Sequence, residues 1–446
     1  MAFPAPVFDP RAVIEGRAPG RTRVGLIVGI VIAAACALIM LLIYAAESEL
    51  RGHSELPFLI ALPFALLPVP LLVALVLLVD RLEPEPRVNL IFAFLWGAGV
   101  AALVAILINT LGLEFVTMPA LGKSAGQYVS ATFGAPPVEE TLKGLVLILL
   151  LRQRRQELDG PTDGIIYAAM VGLGFAMMEN ISYYIDALLK PEIGGAKLLG
   201  LTFVMRGVLS PFAHPIFTSM TGIGVAYAAS HRRAGWAIPL GLFTAMLLHG
   251  TWNGLSELGL PGLGVAYVLL FCVFIGLSGV LVHDRHRIVS LIRRCLPAYV
   301  PTGLVTPPQD IEMLSTLRGR RIARYWARRN GGRPAAAAMT DYQLAATELA
   351  MLHQRAERGV ISPSEFEARR QALLGLMQTA RLAFLTHRPQ KSAPPPAPPW
   401  APQGPSGFIQ PQAYRAPVPP PGLPGSAPAP QNHPSPPDQP WDAPPS

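Results

Sequence analysis

Four short segments of this chain carry side chains that could do chemistry. Pro136-Pro137-Val138-Glu139-Glu140-Thr141-Leu142-Lys143 sets two adjacent carboxylates about one turn from an ammonium group. On a helix Lys143 is i+4 from Glu139 and i+3 from Glu140, so it reaches either acid along one face. Phe175-Ala176-Met177-Met178-Glu179-Asn180 puts a third carboxylate among apolar residues. His214, followed by Thr218 and preceded two turns earlier by Arg206, supplies one imidazole. His249 supplies another, and Asn253 follows it at i+4 on the same face. Glu, His and Asn together can hold and activate a water for amide hydrolysis. The carboxylate serves as base, and the imidazoles ligate a metal or donate to the oxyanion. The same set can relay protons in a transporter, and periodicity does not separate the two. Blander accounts exist: an ion pair for the first segment, a helix–helix hydrogen bond for Glu179, a packing histidine for His214. A structural ion pair, however, needs one acid rather than two.

These groups matter because of where they lie. The chain has 446 residues, 51% hydrophobic and only 14% charged, with a mean hydropathy of +0.39. A soluble domain carries about a quarter charged residues. The apolar residues come in blocks long enough to cross a bilayer as helices. Eight spans are expected, near 24–44, 57–79, 89–111, 132–151, 164–188, 201–229, 236–256 and 262–282. The fold class is therefore all-α, a polytopic membrane helix bundle. Each ionisable group inside a span costs several kcal/mol at bilayer depth, which makes it a functional candidate by default. Counted from the outer span ends, Glu140, Glu179, His214 and His249 fall within about 8 Å of one another at 1.5 Å per residue. Four unrelated packing residues have no reason to align in this way. His231, His283 and His286 sit beside arginines at span ends and read as interfacial, and Asp163 and Asp186 as wetted span-end groups.

Arginines set the topology. Arg11, Arg17, Arg21 and Arg23 precede the first span, and Arg81, Arg87, Arg152, Arg154, Arg155, Arg232, Arg233, Arg285, Arg287, Arg293 and Arg294 fall in every second connection. The alternate connections hold only Arg51, Lys123, Lys190 and Lys197. This bias places both termini in the cytoplasm. It also accounts for the net charge of +8 without a nucleic-acid ligand, which is not expected. Only five lysines accompany the arginines, and one of them is Lys143. Cys36, Cys272 and Cys295 have no metal or redox spacing. Ala33-Ala34-Ala35-Cys36 has the look of a lipoprotein cleavage site, but the apolar run continues to Tyr44, so a retained span is expected. No internal repeat suggests the duplicated halves of many transporters.

The chain divides into a cytoplasmic N-terminal segment (1–22), a transmembrane domain (23–284), a basic cytoplasmic linker (285–339), a small cytoplasmic helical hairpin (340–382) and a disordered Pro/Ala-rich tail (383–446). In the hairpin Gly359 ends the first helix. Ser362-Pro363-Ser364-Glu365 opens the second as a capping box, with Ile361 and Phe366 at the staple positions. The tail has too little apolar surface to offset its ordering entropy.

In order along the chain, the four segments resemble the pattern of PrsW-type intramembrane proteases, themselves similar to CAAX-processing-like membrane proteases. E-E-x-x-K is met by Glu139, Glu140 and Lys143; F-x-x-x-E-N by Phe175, Glu179 and Asn180; the mid-span His with nearby Ser/Thr by His214 and Thr218; and H-x-x-x-N/D by His249 and Asn253. The run from Asp80 to Pro86 also looks like a family feature. The resemblance covers roughly residues 20–285. It implies hydrolysis of a single-span membrane protein near the outer face of a bacterial plasma membrane. In the best-known relatives the substrate is an anti-sigma factor. It implies Glu139 or Glu140 as the base, and Glu179, His214 and His249 as the rest of the site around a zinc ion, with Asn253 orienting a ligand or steadying the oxyanion. Related membrane proteases also work from a Glu/His pair without zinc. Residues 349–374, through Leu349, Leu352, Gly359, Ile361, Glu365, Phe366, Leu373 and Leu374, resemble a SHOCT module, which implies self-association. The basic stretch Arg318–Arg329 reads either as a solvated linker or as a contact with anionic lipid. Arginine over lysine and the Ala/Pro bias suggest a GC-rich bacterium. Two competing readings use the same residues: a proton- or ion-coupled transporter, and a non-catalytic membrane scaffold.

Overall fold

The structure is a computed structural model and describes residues 10–14, 24–50, 55–79, 81, 84–154, 158, 160–190, 194–306 and 308–386. Arg17, Arg21 and Arg23, the loop residues Asp80, Leu82 and Glu83, and the Pro-rich tail from 387 lie outside the described residues. The described chain is helical and contains no strand. A short helix α1 (Pro10–Ile14) precedes the first long helix, α2 (Val24–Leu50). The second span is α3 (Leu56–Leu66) and α4 (Val69–Val79), interrupted at Pro68, whose missing N–H and ring break the ladder. The third runs from α5 (Arg87–Trp96) through a π turn (Gly97–Ala101), α6 (Ala102–Gly112), a second π turn (Leu113–Thr117) and α7 (Met118–Leu121). Then follow α8 (Lys123–Val129), a π turn (Ser130–Gly134), α9 (Ala135–Arg154) and α10 (Pro161–Leu188). The bundle is completed by α11 (Gly195–Phe203), a π turn (Val204–Leu209), α12 (Ala213–Ser230), α13 (Ala237–Ser256) and α14 (Gly259–Cys295).

Among the described residues, six helical stretches are long and apolar enough to cross a membrane: 24–49, 56–79, 87–121, 161–188, 195–230 and 259–302. The two expected spans missing from that set are α9 and α13. These are the helices that carry Glu139, Glu140 and Lys143, and His249 and Asn253, and their polar residues lower their hydropathy.

Helix α10 is the axis of the bundle. Its most apolar stretch is 89% buried, against 17% for α2, so neighbours rather than lipid surround it. It packs on α12, α3, α5 and the π turn after α5. In lipid, close helix approach depends on small residues rather than on hydrophobic drive. At Gly172 an added Cβ would fall 2.5 Å from the Pro215 nitrogen, so only glycine lets α10 lie against the start of α12.

The expected continuous helix over 201–229 is broken. Ser210 adopts φ −126° and ψ 37°, and Ser210–Phe212 are non-helical between the π turn and α12. Pro211 explains the break: it lacks an N–H and disfavours the α conformation of Ser210. The Met205 carbonyl is kept satisfied inside the bundle. It accepts from Ser210 N at 3.0 Å, Ser210 Oγ at 2.7 Å and Tyr267 OH at 3.1 Å. Non-helical backbone at bilayer depth is tolerated only where protein supplies such partners.

Beyond the expected end near residue 282, α14 continues to Cys295. A 3₁₀ turn (Leu296–Thr302), α15 (Gln309–Ser315), α16 (Leu317–Glu357) and α17 (Pro363–Thr386) follow. Residues 285–339, read as a basic linker, are thus helical for most of their length. They share one core with the hairpin, in which Ile288, Leu291 and Ile292 of α14 meet Leu314, Met339, Tyr342, Leu352, Leu373 and Met377. Alternating arginines hid this pattern, because small Ala323 and Ala327 do the packing. Helix α16 kinks at Gly331–Gly332, where Gly332 has φ +70°. In the hairpin turn Gly359 takes φ +64°, Glu365 N donates to Ser362 Oγ at 3.2 Å, and Ile361 and Phe366 both pack on the core. Asp163, expected at a wet span end, is buried, and its Oδ2 accepts from Gly160 N at 2.8 Å to cap α10.

Candidate active site

The site is built on four helices. Pro136 and Pro137 occupy the first turn of α9, where their missing N–H groups cost nothing. The next turns carry Glu139, Glu140 and Lys143, all buried, Glu140 and Lys143 completely so. Lys143 Nζ lies 2.8 Å from Glu140 Oε1, 3.5 Å from Glu139 Oε2 and 3.1 Å from His214 Nδ1. It also sits 3.9 Å above the centre of the Phe175 ring, which gives that aromatic a cation–π role.

Both oxygens of Glu140 are occupied. Oε1 faces Lys143 and, at 3.0 Å, His249 Nδ1; Oε2 accepts from Thr218 Oγ1 at 2.9 Å. With Nδ1 so engaged, His249 turns Nε2 toward Glu139 Oε2, 3.8 Å away. Phe217 stacks on the His249 ring at 5.1 Å, and the His214 ring meets His249 edge-on at 5.0 Å. Glu139 Oε1 accepts from Asn109 Nδ2 at 3.2 Å, bringing a fifth segment, α6, into contact with the site.

Glu179 stands apart from the other two acids. Its Oε2 faces His214 Nε2 at 2.8 Å and accepts from Arg206 Nη2. Among the described residues its Oε1 has no partner, and its side chain is 24% exposed. Arg206 also donates through Nε to Asn180 Oδ1 at 2.7 Å and lies 3.7 Å over the Tyr183 ring. The π turn and the break after it bring Arg206 to this place, and π turns often mark functional sites. A cavity of about 20 Å³, lined by Glu179, Asn180, Tyr183, Arg206, His214 and Asn253, opens beside Glu179. That is room for about one water.

Seven of the eight expected residues therefore form one contact network: Glu139, Glu140, Lys143, Glu179, Asn180, His214 and His249. Asn253 lines the same cavity but donates to the Ala131 carbonyl at 2.9 Å. The metal-capable donors that converge are Glu139, His214 and His249, with ligand atoms within 4.8 Å of one another. This differs from the set Glu179, His214 and His249: Glu179 sits on the Arg206 side of His214 instead. Three carboxylates against Lys143 and Arg206 leave the cluster one negative charge with neutral imidazoles. Two imidazoles and a carboxylate, with Glu140 on the far nitrogen of His249, are a donor set suited to a divalent cation. Sequence reasoning missed Asn109, a polar residue deep in the third span, and the partners of Arg206. Their polarity inside apolar blocks was the available signal.

Helices that belong in lipid, wrapped around acids and imidazoles that lipid cannot solvate, define a polytopic membrane protein with a buried polar centre. Residues 85–278 match the model of the PrsW family intramembrane metalloproteases. The chain is 30% identical over 179 residues to Protease PrsW of Clostridioides difficile, covering 39% of this chain and 69% of that protein. It is 29% identical over 183 residues to Protease PrsW of Geobacillus kaustophilus, covering 40% and 70%. For Protease PrsW of Bacillus subtilis the identity is 30% over 159 residues, covering 35% and 66%. No solved structure matches. The chain belongs to the PrsW family and is a membrane protease. Of the readings that competed, the transporter and the scaffold yield to it.

Proposed function

We propose that Glu139, His214 and His249 hold a zinc ion and that Glu179 is the base that activates water to cut a single-span membrane protein. The convergence of those three donors beside an acid with a free oxygen carries this reading. Bound zinc supplies Lewis acidity and lowers the pKa of a water. The chain's own groups do the rest. Arg206 and His214 hold Glu179 Oε2 and stop the carboxylate from rotating, which leaves Oε1 facing the water-sized cavity. Oε1 takes the proton of the attacking water and passes it to the leaving amine. Glu140, saturated by Lys143, Thr218 and His249, orients the His249 ring and is not the base. Asn253, tied to Ala131, steadies the cavity wall.

An apolar groove of about 440 Å³ between α13 and the stretch from α8 through the π turn to the start of α9 supports lateral entry of a helical substrate. Gly250 and Gly254, beside His249 and Asn253, line it, together with Phe133 and Phe243. The arginine distribution supports an orientation with both termini cytoplasmic, and the bacterial relatives support a plasma membrane location. An anti-sigma factor is the substrate class that the family resemblance implies. The test compares wild type with Glu179→Gln in the native membrane and scores single-span proteins for truncated fragments. Fragments that vanish in a folded, zinc-loaded variant support the assignment. Identical fragment profiles overturn it.

A further inference from the structure

The first arm of α16, residues 317–330, ends at the Gly331–Gly332 kink and has two dissimilar faces. Its inner face buries Ala323, Ala327 and Arg320. The Arg320 guanidinium is used up on the Leu314 carbonyl (2.7 Å) and on Thr347. The outer face shows Ile322 and Tyr325, exposed by 54% and 67%, and on its flank Trp326, exposed by 41% and edge-on to Phe384 of α17 at 6.5 Å. Arg318, Arg321, Arg328 and Arg329 are exposed on the same side and have no acidic partner among the described residues. Arg318, Ile322, Tyr325 and Arg329 follow at i, i+4, i+7 and i+11, so charge and aromatic surface run along one stripe.

Water alone does not favour such a stripe, because large apolar side chains are exposed to no benefit. A bilayer interface does. Aromatic rings settle at headgroup depth, and guanidinium groups meet phosphate. The location agrees. Arg324, on the flank of this arm, has its pKa lowered first by burial and then by the nearby charges of Arg321 and Arg81. Arg81 lies two residues beyond Val79, the end of the second span. The arm therefore runs close to where a membrane-spanning helix emerges, on the arginine-rich side of the protein.

We propose that residues 317–330 lie on the membrane surface and bind the headgroups of anionic phospholipid. Arg318, Arg321, Arg328 and Arg329 contact the phosphates, and Ile322, Tyr325 and Trp326 anchor the helix among the headgroups. Nucleic acid would use the arginines but gain nothing from exposed Ile322. The same core joins this arm to α14 through Ile288, Leu291 and Ile292, so headgroup binding fixes the whole helical module against the bilayer.

The full-length protein is reconstituted in nanodiscs of phosphatidylcholine with increasing phosphatidylglycerol, and amide exchange is followed in 317–330 and in α17. Exchange in 317–330 slows as phosphatidylglycerol rises, while α17 is unchanged. Each of Arg321→Ser, Arg328→Ser and Arg329→Ser weakens that response about fivefold. Ile322→Ser with Tyr325→Ser speeds exchange of the arm even at high phosphatidylglycerol. Equal exchange at every lipid composition overturns the proposal. Protection by polyuridylate without any response to phosphatidylglycerol also overturns it, and makes the arm a nucleic-acid surface.

Discussion

Glu140 divides its Oε1 between Lys143 Nζ at 2.8 Å and His249 Nδ1 at 3.0 Å, and its Oε2 goes to Thr218. A completely buried carboxylate with a partner on each oxygen is an organiser: it fixes an ammonium group on its own helix and an imidazole on α13. Glu140→Gln leaves Lys143 charged, buried and poorly paired. Breaking such a pair costs about 3–5 kcal/mol, so a clear loss of thermal stability in detergent is expected. Glu179→Gln removes no such pairing from Lys143. It does take the carboxylate from Arg206, but that pair is 23% and 24% exposed, so a smaller loss of thermal stability than in Glu140→Gln is expected while substrate cleavage is lost. If Glu140→Gln is as stable as wild type, the organising role of Glu140 is wrong.

The proposed zinc ligands and the residues behind them separate by metal content. Glu139→Gln and His249→Ala lose bound zinc in the purified protein, measured by elemental analysis. Glu140→Gln retains a site but weakens it about 10–100-fold in chelator competition, as expected for a carboxylate behind a ligating imidazole. Retention of zinc at wild-type affinity in Glu139→Gln would remove Glu139 from the ligand set.

Arg206 links Glu179, Asn180 and Tyr183 without belonging to the donor set. Arg206→Ala frees Glu179 Oε2 and lets the carboxylate turn. A fall of about 10²-fold in kcat with zinc content unchanged is expected, in the range for a mispositioned base. Arg206→Lys keeps the charge but cannot hold both Glu179 and Asn180, so it recovers little. Equal recovery by lysine would show that charge alone matters.

The helical module beyond the bundle has its own pH dependence. His353 is partly buried. Burial first, and then Arg370, hold its pKa below the ordinary 6.5, against an opposing pull from Glu357. Its Nε2 pairs with Tyr299 OH at 2.7 Å, and its ring meets Phe366 at 5.1 Å. The unfolded segment binds a proton more readily than the folded one. The contribution is therefore full above about pH 6.5 and is lost as pH falls from there toward the folded-state pKa. Amide exchange in α17 speeds up on acidification through that window. His353→Gln flattens the response, and an unchanged acid response in that variant would shift the cause elsewhere.

Much of this protein can be read from residue types alone. Charge scarcity and apolar blocks require a helical bundle, because lipid offers no partner for an open backbone. The cost of Glu139, Glu140, Glu179, His214 and His249 at bilayer depth marks them together, and their spacing on single helices fixes that Lys143 reaches both adjacent acids. Helical periodicity is a local property, however. Which Glu is saturated and which keeps a free oxygen depends on how α9, α10, α12 and α13 are rotated and cross, and that follows from contacts such as Gly172 against Pro215, far apart in the chain. For the same reason only the tertiary structure brought Asn109 to Glu139 and Arg206 to Glu179. It also folded the arginine-rich 285–339 stretch onto the end of α14, because buried partners at distant positions decide where a helix must pack, whereas the break at Ser210–Phe212 is written locally, in Pro211.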